Sequence, residues 1–425
     1  MAIAKKAKKK LVFVGVSGGV DSSVAALLLS DSVEARAARK RAGLPAGRQG
    51  YNIVGVFMRC WGGGPDAAVG VNCTAERDAE DARRVAEKLN IPFYTWDFEE
   101  AYQKKVVEYK VQGYKRGLTP NPDVMCNREI KFGLFLDKAL SLGADYVATG
   151  HYVRLKKMRG AYRLYQAVDK NKDQSYFLWT LTQGQLAHCL FPIGDYLKPK
   201  VRQVAKRAGL PTAEKKDSQG ICFLGQVTLI DFLKGYLPAR SGAVLNLKGE
   251  KIGTHAGAHF YTIGQRQGLD HGTWNMKHVT FGKGDRKRFY IAEKNTKTNT
   301  IVVAEGPENP ALFRKEIGLV SLNFISPTLH ASRFTLHLYA RVRYRQPLAE
   351  AILYINRSAP FDKLRVRLVF NQPQKFVAEG QSAVFYVDDP SIHSTGSESP
   401  RGTRGATSSR RSQGLRMLGG GVISD

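Results

Sequence analysis

Residues 11–23 read LVFVGVSGGVDSS, and the architecture of the N-terminal half follows from them. The apolar run 11–16 predicts a buried β-strand, the glycines predict a turn, and VAALLL at 24–29 predicts a helix. Such a turn directs backbone N–H groups outward at the positive end of a helix dipole, and the hydroxyls of Ser17, Ser22 and Ser23 add donors. The stretch therefore predicts a cradle for pyrophosphate. The alternative is a glycine turn whose Ser or Asp caps the helix and binds no ligand.

The spacing of the glycines separates this motif from two common nucleotide-binding loops. No Gly-Lys-Ser/Thr ends it, as in a P-loop, and its glycines do not follow G-x-G-x-x-G. The motif resembles the PP-loop of the ATP-pyrophosphatase superfamily. That resemblance implies that the turn binds ATP, which is cleaved to AMP and pyrophosphate, and that Asp21 helps to hold Mg²⁺ on the phosphates.

Composition and charge narrow the classes of partner and compartment. A chain of 425 residues exceeds what one core usually serves, so two or three domains are expected. Lys and Arg total 65 against 37 Asp and Glu, and the net charge of +28 favours nucleic acid as a partner over acidic membranes. No apolar run reaches membrane-spanning length, and the lysine-rich start does not read as a signal peptide. Five cysteines without C-x-x-C spacing argue against a disulfide framework or zinc ribbon, so we predict a cytoplasmic protein.

The segments after the cradle alternate between strands and helices. The sequence predicts a strand at 53–58, a helix at 75–89 and a strand at 91–96. This order indicates an α/β domain with a parallel sheet, whose ligand lies at the carboxyl ends of the strands. Met58 stands at such an end, where it packs either against adenine or in the core.

Residues 117–132, GLTPNPDVMCNREIKF, form the second informative segment. Two prolines rigidify a turn, and Asp123 and Cys126 follow at the head of a predicted helix, where the dipole favours a thiolate. The pattern predicts a reactive thiolate beside a carboxylate. The alternative is a capping Asp followed by a small buried Cys.

Taken together, SGGVDSS and TPNPDVMCNREIKF resemble the tRNA-specific 2-thiouridylases, the family that installs sulfur on the wobble uridine of certain tRNAs. Other segments resemble that family in the same order along nearly the whole chain: ATGHY (148–152), NKDQSYFL (171–178), DSQGICF (217–223), IGQRQGL (263–269), RYRQP (343–347), and PQ at 373–374 through QSAVFY at 381–386. Other PP-loop enzymes lack the paired cysteine segments, so the resemblance is specific.

The resemblance implies roles for individual residues. It makes Cys222 the carrier of a persulfide, Cys126 the cysteine that releases the sulfur, and Asp123 a general acid/base. The residues implied for ATP are Gly15, Val16, Ser17, Gly18, Gly19, Val20, Asp21, Ser22, Met58 and Gly150, with Asp21 also the metal ligand. Those implied for tRNA are Asn121, Pro122, Asp123, Lys172, Asp173, Gln174, Arg343 and Tyr344. Cys60, Cys73 and Cys189 lie outside the matching segments and are interpreted as ordinary thiols.

The predicted organisation is a PP-loop domain at 1–225, a small mixed middle domain at 226–293 that binds tRNA, and a C-terminal domain at 294–425. In the last, strands at 334–344, 351–355, 366–370 and 383–387 resemble the β-barrel of the family. Three stretches depart from its pattern. Residues 31–50 are interpreted as a solvated insertion, 358–364 as a lengthened hairpin, and 390–416, rich in Ser, Arg and Gly, as a disordered loop.

The implied reaction is adenylation of the uridine C2 oxygen followed by transfer of sulfur from the Cys222 persulfide, which leaves a disulfide between Cys126 and Cys222. It implies a sulfur-donor protein, either a cysteine desulfurase or a sulfur carrier, and a monomeric enzyme. Two alternatives stay open. Another PP-loop enzyme, such as a tRNA-lysidine synthetase or a GMP-synthetase-like protein, would share Ser17–Ser23 but has no use for the two cysteines. A non-enzymatic RNA-binding protein would explain the charge but leaves the cradle without a role.

Overall fold

The computed structural model describes residues 9–44, 51–61, 75–216, 229–266, 288–325, 335–355, 366–389 and 415–424. Its strands are β1 (Leu11–Gly15), β2 (Asn52–Arg59), β3 (Phe93–Asp97), β4 (Tyr146–Ala148), β5 (Val153–Met158), β6 (Ala161–Gln166), β7 (Cys189–Leu190), β8 (Gly242–Leu245), β9 (Lys251–His255), β10 (Phe289–Asn295), β11 (Thr300–Glu305), β12 (Phe313–Phe324), β13 (Thr335–Arg341), β14 (Ala349–Ile355), β15 (Val366–Lys375), β16 (Ser382–Asp388) and β17 (Leu415–Ser424).

The α-helices are α1 (Val20–Leu29), α2 (Val33–Arg41), α3 (Ala75–Leu89), α4 (Glu99–Tyr102), α5 (Glu108–Lys115), α6 (Pro122–Cys126), α7 (Phe135–Ser141), α8 (Gln183–Leu186), α9 (Lys198–Ala208) and α10 (Leu229–Lys234). Wider π-helical segments, Gln103–Val107 and Asn127–Leu134, join α4 to α5 and α6 to α7. Residues 122–141 are therefore helical without a break. Short 3₁₀ turns cover Ser175–Leu178, Ala258–Phe260 and Pro310–Leu312.

The N-terminal domain is built on a parallel sheet with the strand order β3-β2-β1-β4-β7. Both neighbours of β1 run parallel to it, and its residues Val12 and Val14 have no exposed surface. Fully buried strands read as continuous apolar runs, which explains LVFVG. The predicted parallel α/β fold is confirmed, and α3 spans the predicted range 75–89.

The interpretation of 31–50 as a solvated insertion is wrong for 33–41, which form α2. Ser32 caps this helix by accepting the N–H of Ala35 at 3.0 Å, and Ala35 and Ala38 are buried in one core cluster with residues of α1, α3 and α9. Arg39 donates to the carbonyl oxygens of Leu27, at 3.0 Å, and Ser30 at the end of α1. The small alanine side chains allow α2 to pack closely against its neighbours. The Arg- and Ala-rich composition therefore belongs to a helix with one buried face. Residues 45–50 lie outside the described ranges.

A second sheet, antiparallel except between β8 and β11, has the order β10-β11-β8-β9. Its strand β10 spans the boundary expected at residue 293, and β11 continues the sheet to Glu305. β11 pairs with β8, since Thr300–Val302 align with Ala243–Leu245. β10 pairs with β11, so both strands belong to the sheet of the middle domain.

The C-terminal strands close into a barrel. The order β12-β15-β14-β13-β16-β17 returns to its start because β17 also pairs with β12. Apolar side chains of these strands, such as Leu338, Leu353 and Phe385, form the interior cluster. The hairpin β5–β6 of the N-terminal domain adds to β17 through a pairing of Tyr165 with Arg416. Stretch 358–364 and residues 390–414 lie outside the described ranges, whereas 415–416 belong to β17. No helix in the described part of the chain is long and apolar enough to cross a membrane.

Candidate active site

The turn after β1 forms a concave site at the carboxyl edge of the sheet. The N–H of Val16 donates to the Val56 carbonyl oxygen of β2 at 2.8 Å, so Ser17 is the first residue to leave the sheet. Gly18 has φ +71°, and a Cβ there would lie 2.2 Å from the Asp78 carbonyl oxygen of α3. Gly19 is the N-cap position of α1, and no side chain among the described residues caps that helix. The N–H groups of its first turn are therefore available to an anion.

The serine hydroxyls differ in orientation. Ser17 is exposed, whereas Ser22 and Ser23 are buried and donate their hydroxyls to the Gly19 carbonyl oxygen at 3.0 and 2.8 Å. Ser22 Oγ also accepts the N–H of Ser17 at 3.1 Å. Ser22 and Ser23 thus satisfy their buried hydroxyls within the turn, and their contribution as donors to a ligand stays a prediction. These two side chains hold the turn closed.

Asp21, in the first turn of α1, pairs with a lysine from a distant helix. Lys198 Nζ lies 2.8 Å from both carboxylate oxygens, and the hydroxyl of Tyr152 donates to Oδ1 at 2.8 Å. The Lys198 side chain is 9% exposed and that of Asp21 is 32% exposed. Sequence reasoning missed Lys198, which is 177 positions from Asp21. A signal was present, since a lysine in the first turn of α9 opposes the helix dipole.

The donor set fits Mg²⁺ only in part. Mg²⁺ in nucleotide sites commonly takes one or two carboxylates together with phosphate oxygens, so Asp21 beside an anion cradle is a suitable ligand. In the described ranges no group of three or more His, Cys, Asp or Glu is placed to hold a metal. Because Lys198 already occupies both oxygens of Asp21, a metal ion there has to share or displace the ammonium.

Two further residues predicted for ATP adjoin the cradle. Gly150, two positions after β4, passes so close to α1 that a Cβ would lie 2.6 Å from the Ser22 nitrogen. Met58, in β2, has its Cε 3.0 Å from the position of a Cβ on Gly15, and it is 6% exposed in a core cluster with Trp96. The packing of Met58 agrees with the core interpretation, and its contact with adenine stays a prediction.

The segment TPNPD caps the helix that carries Cys126. Asn121 is the N-cap, since its Oδ1 accepts the N–H groups of Asp123 at 3.1 Å and Val124 at 3.3 Å. Pro122 occupies the first turn, where its missing N–H costs nothing. Asp123 is therefore a first-turn residue and not the cap, and its role as an acid/base stays a prediction. Cys126 follows one turn later with 0% exposure.

The continuous helix 122–141 carries Cys126, and we call it the cysteine helix. It contacts the segment that follows β4. Phe132 lies 5.8 Å from the ring of His151, which directly follows Gly150. His151 Nδ1 is 2.8 Å from Thr149 Oγ1, and complete burial keeps the pKa of His151 well below its usual range, so this ring is neutral. An uncharged contact thus links the cysteine helix to the residue after Gly150.

The remaining cysteines are placed differently. Cys60 and Cys189 are buried, and burial raises the pKa of the Cys189 thiol, as expected of an inert thiol. Cys73 and Cys222 lie outside the described ranges, as does the segment 217–223. The pairing of Cys222 with Cys126 therefore stays a prediction.

The loop predicted to contact tRNA is anchored by Asp173. Asp173, with a side chain 0% exposed, accepts from Ala167, Ser175 and Gln166 at 3.0 to 3.2 Å and pairs with Arg341 of the barrel. Its carboxylate is therefore committed to the protein interior. Lys172 and Gln174 are half-buried, and the Gln174 side chain accepts the N–H of Tyr152 at 2.9 Å. The contact of Lys172 with RNA stays a prediction.

Arg343 and Tyr344 follow β13 and face different environments. Arg343 donates to the carbonyl oxygens of Phe376, at 2.8 Å, and Ile263, and burial lowers its pKa. Tyr344 packs on Phe177 with ring centroids 4.5 Å apart. The Phe177 carbonyl oxygen accepts from Asn127, the neighbour of Cys126, at 3.2 Å. Tyr344 therefore lies close to the cysteine helix. Arg343 instead joins the middle domain to the C-terminal domain through its two hydrogen bonds.

Lys110 is a buried amine that sequence reasoning missed. It is 2% exposed, its Nζ has no hydrogen-bond partner among the described residues, and it lies 4.1 Å from the centroid of the Phe232 ring. Burial lowers the pKa of Lys110 to about 7, and the negative charge of Asp123 opposes this shift.

Comparisons with known families cover all three domains. Residues 41–226 match a model described as tRNA methyl transferase HUP domain, residues 230–305 a tRNA methyl transferase PRC-barrel domain, and residues 314–393 an aminomethyltransferase beta-barrel domain. The order agrees with a parallel-sheet domain, a middle domain and a closed barrel.

Curated relatives align over nearly their full lengths. A tRNA-specific 2-thiouridylase MnmA of Geobacillus kaustophilus is 43% identical over 90% of this chain and 94% of its own length. The protein of that name from Alkaliphilus oremlandii is 41% identical over 90% of this chain and 96% of its own. A third, from Halalkalibacterium halodurans, is 42% identical over 91% of this chain and 94% of its own. The descriptions of two of the domain models mention a tRNA methyl transferase. Identity of 41–43% over nearly the full length of curated relatives is stronger evidence for the family than these descriptions.

Proposed function

The chain belongs to the family of tRNA-specific 2-thiouridylases, and from this membership we propose that it catalyses the ATP-dependent 2-thiolation of the wobble uridine of tRNA. The general activity, thiolation of a tRNA uridine by a PP-loop enzyme, is that of the family. The observation that supports the proposal for this chain is that a helix N-terminus without a side-chain cap follows β1, while the continuous helix that carries Cys126 contacts His151, the neighbour of Gly150, through Phe132.

The first half of the reaction makes the uridine oxygen a leaving group. The C2 oxygen attacks the α-phosphorus of ATP, the bond to the β-phosphate oxygen breaks, and pyrophosphate departs with the electron pair. The first-turn N–H groups of α1 stabilise the charge that develops on pyrophosphate. Gly18 lets the turn approach α3, Gly150 lets the chain after β4 approach α1, and Gly19 adds no side chain before the first turn of α1. Asp21 would hold Mg²⁺, which supplies further charge neutralisation when bound.

The second half replaces that oxygen by sulfur. Cys222 carries a persulfide whose terminal sulfur is delivered to C2, AMP leaves, and Cys126 forms a disulfide with Cys222 as the sulfur is released. Sulfur passes either by direct attack of the persulfide or as hydrosulfide, and a reductant reopens the disulfide. Asp123 serves as the acid/base, a role that its half-exposed first-turn position supports.

Substrate binding uses the basic surface and the loop beside the cysteine helix. The net charge of +28 supports binding of the tRNA backbone. Asn121, Pro122 and Asp123 lie next to the proposed target base, while Lys172 and Tyr344 provide a cation and an aromatic face at the adjoining loop. Asp173, Gln174 and Arg343 act by holding that loop in place. We further propose a cytoplasmic monomer that receives sulfur from a cysteine desulfurase or sulfur carrier.

The test is product analysis of tRNA. Wild-type protein, ATP, Mg²⁺, unmodified tRNA and a persulfide donor are incubated, the RNA is digested, and 2-thiouridine is quantified by mass spectrometry. We expect 2-thiouridine, AMP and pyrophosphate in equal amounts. Asp21→Asn should abolish all three while tRNA binding persists, and Asp231→Asn, at an exposed aspartate of α10, is the matched control. Pyrophosphate without 2-thiouridine would point instead to another PP-loop chemistry.

A further inference from the structure

We propose that Lys198 is a phosphate-binding residue of the cradle, which places its ammonium against the pyrophosphate portion of ATP. The inference rests on the proposed function only in requiring that the cradle binds ATP. Lys198 is named by none of the motifs in the N-terminal half, and it reaches the site from the start of α9.

The contacts of the ammonium fix its position relative to the cradle. Nζ is 2.8 Å from Oδ1 and 2.8 Å from Oδ2 of Asp21, a residue in the first turn of α1. The phosphates are expected at the N–H groups of that same turn. A cation held on Asp21 is therefore within one side-chain movement of the β- and γ-phosphate oxygens.

The charges of the site require such a cation. ATP brings about four negative charges to a cradle that already contains Asp21, with Asp78 and Asp81 on the adjoining helix α3. Lys215 pairs with Asp78 at 2.6 Å and with Asp81 at 2.5 Å. Lys215 thus pairs with the carboxylates of α3, whereas Lys198 pairs with Asp21, the carboxylate in the first turn of α1.

The backbone of Lys198 is held by a hydrogen bond, whereas its long side chain can change conformation. Its N–H donates to Asp169 Oδ2 at 2.8 Å, and Asp169 Oδ1 accepts the N–H groups of Asn171 at 3.1 Å and Lys172 at 3.2 Å. The flexible four-carbon stem allows the ammonium to move between Asp21 and a phosphate. Asp169 also ties this lysine to the loop predicted to contact tRNA.

In the reaction the ammonium acts by charge alone. When the bond between the α-phosphorus and the bridging oxygen breaks, the electron pair goes to pyrophosphate, and Lys198 contributes its charge and forms no covalent bond. If Mg²⁺ takes an oxygen of Asp21, the ammonium is displaced toward the phosphates, so the metal and the lysine are complementary.

The test measures nucleotide affinity by calorimetry without tRNA, so that no adenylation occurs. The variants are Lys198→Met, Lys198→Arg, which keeps the charge, and Lys200→Met, an exposed lysine of the same helix whose partner is Gln203 at 3.1 Å. Lys198→Gln replaces the Met variant if that protein does not fold, as judged by its thermal unfolding. Each is titrated with ATP and with AMP in the presence of Mg²⁺.

Loss of a charge-assisted hydrogen bond predicts that Lys198→Met weakens ATP binding by about tenfold or more. AMP, which lacks the β- and γ-phosphates, should bind within about twofold of wild type, Lys198→Arg should bind ATP with intermediate affinity, and Lys200→Met should match wild type. Unchanged ATP affinity in Lys198→Met, or equal losses for ATP and AMP, would overturn the role of Lys198 and leave the proposed function standing. Failure of wild-type protein to bind ATP would overturn both.

Discussion

The N–H of Thr119 donates to the Glu379 carbonyl oxygen at 2.7 Å, which hydrogen-bonds the C-terminal barrel domain to the turn preceding the cysteine helix. The Thr119 side chain also meets the middle domain, at 3.4 Å from Thr262 and 3.5 Å from Lys294. Because Asn121, two residues after Thr119, caps the helix, the middle domain and the barrel domain both help to position Asp123 and Cys126. This arrangement predicts that the middle and barrel domains contribute to the chemistry by positioning the helix that carries Cys126.

Gly380→Val should uncouple the barrel from that turn. Gly380 has φ +85°, and a Cβ would lie 2.9 Å from the Thr119 nitrogen, so the new side chain has to displace it. We expect thiolation to fall by about tenfold or more, since misplacement of a reactive group by about 1 Å is that costly. ATP affinity should be retained. The measurements are 2-thiouridine formation and calorimetric ATP binding.

Gly249→Val is the control for backbone strain. Gly249 has φ +83°, nearly the same conformation, but nothing lies within 4 Å of its Cβ position. It should show only the cost of a strained backbone, roughly 1–3 kcal/mol of stability, with thiolation intact. If both variants thiolate equally well, the Thr119 contact does not position the helix.

A buried charge in α2 should reveal that this helix is part of the core. Ala38 is 1% exposed, so Ala38→Asp buries a carboxylate with no partner and should destabilise the domain by several kcal/mol, roughly 3 or more. Ala37→Asp adds the same charge to the exposed face of the same helix and should change stability by less than about 0.5 kcal/mol. Urea unfolding measures both, and equal midpoints would restore the interpretation of 31–50 as a dispensable insertion.

The outcome for α2 illustrates what sequence patterns can and cannot predict. Apolar runs identified β1 and β2, and charge patterning identified α3, because these signals are local. The Arg-rich composition of 33–41 hid a helix whose signals were also local: a Ser N-cap, an acidic first turn and a basic last turn. Lys198, by contrast, meets Asp21 only through tertiary packing, and no rule on spacing joins residues 177 positions apart.

The candidate site shows the same division. The motifs predicted which segments take part in the site, but not which side chains turn inward. Asp173 and Ser22 were predicted to contact ligands, yet both side chains hydrogen-bond within the protein. A motif records that a residue is needed, whereas burial decides whether it acts by contact or by holding a neighbour in place.

Lys110→Met should stabilise the protein at neutral pH. Because the pKa of Lys110 is lowered to about 7 in the folded state, the unfolded chain binds more protons between about pH 7 and the usual lysine value near 10.4. The penalty for the buried charge is complete below pH 7 and disappears as pH rises through that window. The variant should therefore gain roughly 1–3 kcal/mol at pH 7 and converge with wild type near pH 10.

Lys104→Met, at an exposed position one and a half turns earlier, is the control and should match wild type at both pH values. Thermal unfolding across pH 6 to 10 provides the comparison. A Lys110→Met protein that is less stable than wild type at pH 7 would show that the amine is charged and satisfied in solution.

The two cysteines should fail at different steps, which makes their roles separable. A disulfide requires Cα atoms roughly 4.4 to 6.8 Å apart, so Cys222 must approach the helix at Cys126 if both serve one uridine. We expect Cys222→Ser to accept no labelled sulfur from a persulfide donor, and Cys126→Ser to accept it but not pass it to tRNA. Pyrophosphate release should persist in both. Cys189→Ala, at a buried thiol that takes no part in the scheme, should thiolate normally. If Cys222→Ser thiolates tRNA as fast as wild type, Cys222 is structural, and the sulfur must reach C2 through Cys126 alone or as hydrosulfide from solution.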